Sequence, residues 1–190
     1  MAYANADNKL GVPDVATVST SGALGAPWVS TTNDLPSVPM EIKLGSIMVA
    51  QDNTLGEARF ILLAVPTSTT VTAGLLYQFD KNYNVVVLPV ISTSKNTGVS
   101  LACAYTAVTS NANSVQYAWF LIQGQVAVLK TAVTVSPQSA IYASTTAGRF
   151  KVVSSAGGQI LNARTQNTAT VTSTTSTVNV WLSYSSMEGA

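Results

Sequence analysis

Residues 117–130 read "YAWFLIQGQVAVLK", an apolar run with no polar face of its own. Successive side chains of a strand point to opposite faces, so a strand at a protein surface alternates apolar and polar residues. Here Trp119 and Leu121 point one way while Phe120 and Ile122 point the other, and Val126, Ala127, Val128 and Leu129 repeat the pattern after Gly124. The run falls short of the roughly 18 to 20 residues that a membrane helix needs. The expectation is a strand lying between two layers. Trp119 and Leu121 would fill a sandwich core, Phe120 and Ile122 would meet a second sheet or a sister subunit, and Gly124 would mark a bulge where the strand changes sheet.

Strand language extends in both directions from this segment. Upstream, "MEIKLGSIMVAQ" (40–51) alternates, with Ile42, Leu44 and then Ile47 and Val49 suited to one or two strands around Gly45, and "EARFILLAV" (57–65) is closed by Pro66. "GLLYQFDKNYNVVVLPVI" (74–91) predicts a hairpin, with Leu76 to Phe79 and Val85 to Leu88 joined by a turn at "DKNYN". "VSLACAYTAV" (99–108) alternates over Leu101, Cys103 and Tyr105, and "SNANS" (110–114) is a turn by composition. Downstream, "TAVTVSP" (131–137), "AIYASTTAGRFKVVSS" (140–155), "QILNARTQ" (159–166) and "ATVTSTTSTVNVWLSY" (169–184) are rich in β-branched residues. Val178, Val180 and Leu182 form the cleanest period-2 set, with Asn179, Trp181 and Ser183 on the reverse. No amphipathic helix longer than about ten residues is evident. The expected fold is all-β: an antiparallel β-sandwich or β-barrel-like body, of jelly-roll or tulip type. "TVTAGLLYQF" (70–79) and "STTAGRFKVV" (144–153) echo one another, each placing Thr-Ala-Gly before a strand. Shared turn chemistry or two related motifs would both produce that echo.

The first 39 residues differ from this body. Pro13, Pro27, Pro36 and Pro39 fall there, separated by Gly, Ser, Thr and Asn with isolated apolar residues. Neither structural period is sustained, which predicts an extended N-terminal arm over 1–39 and a β-rich body over 40–190, built as one unit or as two small β-subdomains. Tyr3, Leu10, Val12 and Trp28 are the apolar anchors that such an arm would dock onto its own body or a neighbour. With Phe120 and Ile122 they are the expected interface residues.

Composition narrows the function. Hydrophobic residues make up 47% of the 190 and charged residues only 9%, against about 25% charged in ordinary soluble domains. The surface is therefore built from Ser, Thr, Asn, Gln and Gly, and a net charge of +1 does little to keep copies apart. Nine basic residues balance eight acidic ones without clustering, which argues against a nucleic-acid partner. Residues 1–20 lack the basic start and apolar core of a signal peptide, so neither secretion nor a membrane is expected. Cys103 is the single cysteine and reads as a small buried hydrophobe.

The chain contains no histidine. That removes Ser-His-Asp and Cys-His nucleophiles and the commonest general base and zinc ligand. A Ser-Lys pair stays open in principle. Of the eight carboxylates, Asp7, Asp14 and Asp34 lie in the arm and Glu188 in the tail. Glu41, Asp52, Glu57 and Asp80 fall at strand ends and turns, a poor basis for a glycosidase pair. Asp80, Asn82 and Asn84 match the start of a calcium loop, but Val85 occupies the glycine position and Ile91 the bidentate glutamate position. "SAGGQ" (155–159) lacks the lysine and helix of a phosphate cradle. Nothing points to an enzyme, a cofactor or a metal.

Three segments carry a resemblance: "YAWFLIQGQVAVLK", then "TAGRFKVVSSAGGQILNA", then the terminal strand "TVNVWLSY". In this order, over roughly residues 72–184, the chain resembles tailed-bacteriophage head decoration, or cement, proteins. The resemblance implies a β-rich body on the outer capsid surface that bridges neighbouring copies of the major capsid protein. It also implies a homo-oligomer, trimer favoured over dimer, located on the virion and assembled in the host cytoplasm. It implies no catalysis, and it does not extend to the first forty residues. A tail or fibre component and a carbohydrate-binding β-sandwich module are the alternatives. The latter would need an exposed aromatic platform, for which Tyr77, Tyr83, Trp181 and Tyr184 are the candidates.

Overall fold

A computed structural model describes residues 43–109, 115–174 and 176–189, together with the backbone of 4–5 and 18–19. The architecture is almost all β, a curled antiparallel sheet forming a half-barrel. Two short strands come first, β1 (Ala4–Asn5) and β2 (Val18–Ser19). β3 (Ile47–Asp52) and β4 (Gly56–Val65) follow as a hairpin. β5 (Leu76–Phe79) and β6 (Val85–Val87) form the expected second hairpin. A single helical turn, α1 (Ile91–Ser94), leads to β7 (Leu101–Ala104) and the long β8 (Gln116–Leu129). β9 (Ala140–Ala143), β10 (Phe150–Lys151), β11 (Gln159–Thr165) and β12 (Thr177–Met187) complete the chain. No helix among the described residues is long and apolar enough to cross a membrane.

The opening stretch becomes β8, and its partners explain its composition. Its first half pairs with β4, from Val65 opposite Gln116 to Arg59 opposite Gln123. Its second half pairs on the other edge with β12, from Ser183 opposite Gln123 to Thr177 opposite Leu129. Between the two faces of the first half lie two separate apolar clusters. Trp119 and Leu121 join Phe60, Leu62, Val180, Leu182 and Ile160 in the larger one. Ala118, Phe120 and Ile122 join Ile61, Leu63, Tyr77, Ala102 and Ala104 in the smaller one. From Gln123 onward burial alternates, with Val126 and Val128 inside and Gln125 and Ala127 half-exposed outside.

The smaller cluster is enclosed by this chain. β4, β8, β7, β5 and β6 succeed one another as paired neighbours. A bridge from Asn84 to Ala64 then brings the β6 end back beside β4. Phe120 sits inside this curl edge-to-face with Tyr77, ring centres 5.6 Å apart, while the Tyr77 hydroxyl accepts from the Thr72 amide at 2.9 Å.

The bulge expected near Gly124 is present. Between Arg59 and Phe60 the facing residues jump from Gln123 to Leu121, leaving Ile122 as the extra residue on β8. Gly124 follows with φ +119°, and a Cβ there would lie 2.7 Å from the Ala58 Cβ and 3.2 Å from the Glu57 carbonyl oxygen. On the N-terminal side of this point β8 and β12 diverge, and β7 takes the vacated edge, pairing Cys103 with Leu121 and Ala104 with Phe120. The Thr-Ala-Gly echo also has a geometric counterpart. Leu75 N–H bonds to Thr72 O and Arg149 N–H to Thr146 O, with Gly74 and Gly148 both at positive φ, so the two turns have the same form. They meet in space: Leu76 N–H donates to Gly148 O at 2.8 Å.

Two sequence expectations need correction. Residues 131–137 and 169–176 hold no strand among the described residues, only a bridge between Val135 and Val171. The reason is Lys130, which is fully buried at the end of β8. Its ammonium donates to the carbonyls of Val133 and Thr172, each at 2.9 Å, and to that of Thr174. Backbone drawn inward onto a cation does not present its carbonyls in the line of a ladder, although that of Thr172 also accepts the Thr174 amide at 2.8 Å. Burial pulls the Lys130 pKa below the ordinary lysine value. In β3 the core face belongs to Met48 and Ala50, so Ile47 is left 53% exposed. The turn expected at 110–114, and Tyr3, Leu10, Val12 and Trp28, lie outside the described residues.

Two stability predictions follow from these contacts. Gly124→Ala combines a strained φ with a backbone collision and should destabilise the fold by about 3 kcal/mol. Gly56→Ala, also at positive φ but with open space around it, should cost only about 1 kcal/mol. Equal losses in urea melts would show that the approach of β4 is not what requires Gly124. Lys130→Met strands the carbonyl crown and should cost on the order of 2 to 4 kcal/mol. The exposed Lys81→Met control should change stability by less than about 0.5 kcal/mol.

Candidate interaction surface

Phe120 and Ile122, expected to meet a second sheet or a sister subunit, are 1% and 2% exposed. The layer that covers them comes from this chain's own β5, β6 and β7, which leaves neither side chain on the free surface. The four arm anchors are not described. The arm's described backbone does touch the body at two places. β1 pairs antiparallel with β3, Ala4 opposite Gln51 and Asn5 opposite Ala50. β2 pairs antiparallel with β8, Val18 opposite Ala118 and Ser19 opposite Tyr117.

The chemistry-bearing side chains of the body are engaged in structure. Cys103 is wholly buried, and burial pushes its thiol up to about 12, so it is no nucleophile at neutral pH. Asp52 accepts the amides of Thr54 and Leu55 at 2.7 and 2.9 Å, capping the β3–β4 turn. Asp80 does the same in "DKNYN", accepting the amides of Asn84 and Asn82 at 2.9 and 2.8 Å. The Asn84 amide above all, helped by the Asn84 side chain and the Asn82 amide, holds its carboxyl below the usual range. These bonds make the segment a hairpin turn with its carboxylate facing its own backbone. Glu57 lies 3.7 Å from Arg59, and Glu188 accepts the Gln159 amide at 3.4 Å. No three potential metal ligands gather among the described residues. One Ser-x-x-Lys spacing does occur, Ser92 to Lys95, at α1. Both residues are exposed, without the enclosure that a lysine base needs.

The four candidate platform aromatics separate cleanly. Tyr77 is a core residue at 1% exposure. The Tyr83 ring lies over Gly45, where an added Cβ would come within 2.3 Å of it. Trp181 and Tyr184 remain, both on β12. Trp181 faces away from the core because Val180 and Leu182 take the inner positions. Across the strands it stands opposite Arg164 of β11 on one side and Gln125 of β8 on the other. Arg164 in turn faces Ala140 of β9. Small side chains at Ala140, Ala163 and Ser183 leave a hollow beside these larger ones. The hollow is about 450 Å³ and is rimmed by Trp181, Arg164, Gln138, Gln159 and Asn162. Tyr184, 47% exposed, lies just beyond Ser183, its hydroxyl accepting from Arg59 Nη1 at 3.2 Å.

Sequence reasoning singled out Trp181 by its place on the reverse of the cleanest period-2 strand. It missed Arg164, Gln138, Asn162 and Gln159, whose neighbourhood depends on strand register rather than on sequence spacing. Lys130 carried no signal beyond being a charge at the end of an apolar run. No protein-family model matches the chain, and no curated protein matches it.

Proposed function

We propose that this chain is a non-catalytic structural protein of a virion, a decoration protein that binds the outer capsid surface and stabilises the shell by bridging neighbouring capsid subunits. The observation that carries this reading is the way the N-terminal segment engages the body. At both described places it adds as a short antiparallel strand, at β3 and at β8. Strand addition recognises backbone more than side chains, so the same segment can add to a neighbouring subunit's sheet edge as readily as to its own. The order of segments over 72–184 that resembles decoration proteins supports the same role.

Composition is consistent with that use. The apolar residues of the opening stretch are absorbed by two internal clusters. The outer surface is left with few charges to desolvate when it meets a neighbour. A cement protein acts by mass action, since each bound copy favours the assembled shell, and an arm with a body provides two linked attachments.

Capsids of the parent virus assembled without this chain provide the test. Added full-length protein should co-sediment in hundreds of copies per particle and raise the shell's melting temperature by several degrees. Deleting residues 2–39 should abolish shell binding while the β signal in circular dichroism persists. Attachment of only a few copies would point to a tail component instead. Full-strength binding by the truncated chain would remove the arm from the mechanism.

A further inference from the structure

The hollow on the outer face of β9, β11 and β12 takes no part in the decoration role. Its wall is the outward ring of Trp181, half-buried and therefore held in place. Directly across the ladder stands Arg164, exposed and with no ion pair among the described residues. Two carboxylates are tied to this face, Glu188 on the amide of Gln159 at 3.4 Å and Glu57 at 3.7 Å from Arg59, which donates to the Tyr184 hydroxyl. β11 is irregular between them, Gln159 facing Tyr142 and Arg164 facing Ala140 on β9, so both reach the one hollow while Arg164 keeps no ion pair among the described residues. Gln159, Asn162 and Ser183 add amide and hydroxyl groups to the rim, and Gln138 holds Gln166 at 3.3 Å across its edge.

Backbone strain concentrates here as well. Six described non-glycine residues have positive φ, and three of them belong to this site: Gln138 at 57° and Asn162 at 55° line the hollow, and Tyr184 at 50° follows Ser183. Such conformations persist where surrounding structure holds them, and they concentrate at functional sites. The Ser185 hydroxyl fixes this one, donating to Asn162 O at 3.1 Å across the irregularity between β11 and β12.

We propose that this hollow is a binding site for an acidic glycan, with the apolar face of a pyranose ring against Trp181 and the sugar carboxylate on Arg164. A flat indole offers a ring-sized apolar surface at low entropic cost. A guanidinium with no acid of its own matches a carboxylate through two parallel hydrogen bonds. Amides and a hydroxyl around the rim suit sugar hydroxyls, and about 450 Å³ admits one or two sugar rings. A phosphate-bearing ligand would not use the ring, and a purely apolar one would leave the rim groups unpaired.

The chain has three tryptophans, so their indole N–H signals in a two-dimensional nitrogen–proton spectrum of the full-length protein can be followed one by one. Trp181→Phe, at a half-exposed position, assigns its own signal. The probes are methyl glucuronide, methyl galacturonide, the methyl glycoside of N-acetylneuraminic acid, and neutral methyl glucoside. At least one acidic sugar should shift the Trp181 signal saturably at millimolar concentration and leave that of the buried Trp119 in place. Arg164→Gln should weaken the acidic sugar about tenfold, equivalent to about 1.4 kcal/mol, and leave methyl glucoside unchanged. The proposal is overturned if none of the acidic probes moves the Trp181 signal at concentrations up to about 50 mM. It is equally overturned if Arg164→Gln has no effect, or if an acidic extended peptide binds the hollow where sugars do not.

Discussion

A strand with apolar side chains on both faces can exist in water only if both faces are covered and both edges are hydrogen-bonded. β8 meets that requirement, and most of the fold follows from how it does so. Trp119 and Leu121 anchor one cluster, Phe120 and Ile122 the other, and each such side chain contributes about 1.5 to 3 kcal/mol when removed from water. β4 lies along one edge, and β2, β7 and β12 share the opposite one. The wall between the clusters is thus a pair of strands, β4 and β8, that serve both. Their alternate residues are split between the clusters, as Phe60 and Leu62 are from Ile61 and Leu63.

The half-barrel depends equally on where that wall stops. At Ile122 the extra residue turns the strand, and at Gly124 the absence of a side chain lets β4 come within contact distance. Beyond it the strand has only one apolar face, and its outer residues become Gln125 and Ala127. Lys130 then ends the strand by drawing carbonyls from two loops onto one buried ammonium. A buried cation is costly unless its donors are matched, and here backbone oxygens match them where a carboxylate would be usual.

These constraints leave the outer face exposed. Its described carboxylates are tied into turns, strand ends and the Glu57–Arg59 pair, so its exposed groups are mainly amides, hydroxyls, two arginines and two aromatics. Such a surface suits close contact with a protein neighbour over most of its area and a polar ligand at one hollow. The N-terminal segment's two strand additions show how backbone alone can attach this chain to a sheet.

Much of the strand content was legible in residue order. The β5–β6 hairpin, the β4 boundary at Pro66, and Val178, Val180 and Leu182 as the inner set of β12 all follow from period-2 alternation and turn residues. The doubly apolar β8 announced that both its faces would be covered. Residue order could not say by what, because a second sheet of the same chain and a sister subunit satisfy the same pattern; the curl of β5, β6 and β7 decided it. It could not show that 131–137 and 169–176 would forgo strand pairing, since the crown joins Lys130 to carbonyls 42 and 44 residues away. Nor could it place Arg164 beside Trp181, because a ladder's register is set across strands. Local periodicity is a property of neighbouring residues and so belongs to the sequence; burial partners, carbonyl crowns and surface hollows arise from distant residues meeting, and only the tertiary structure decides them.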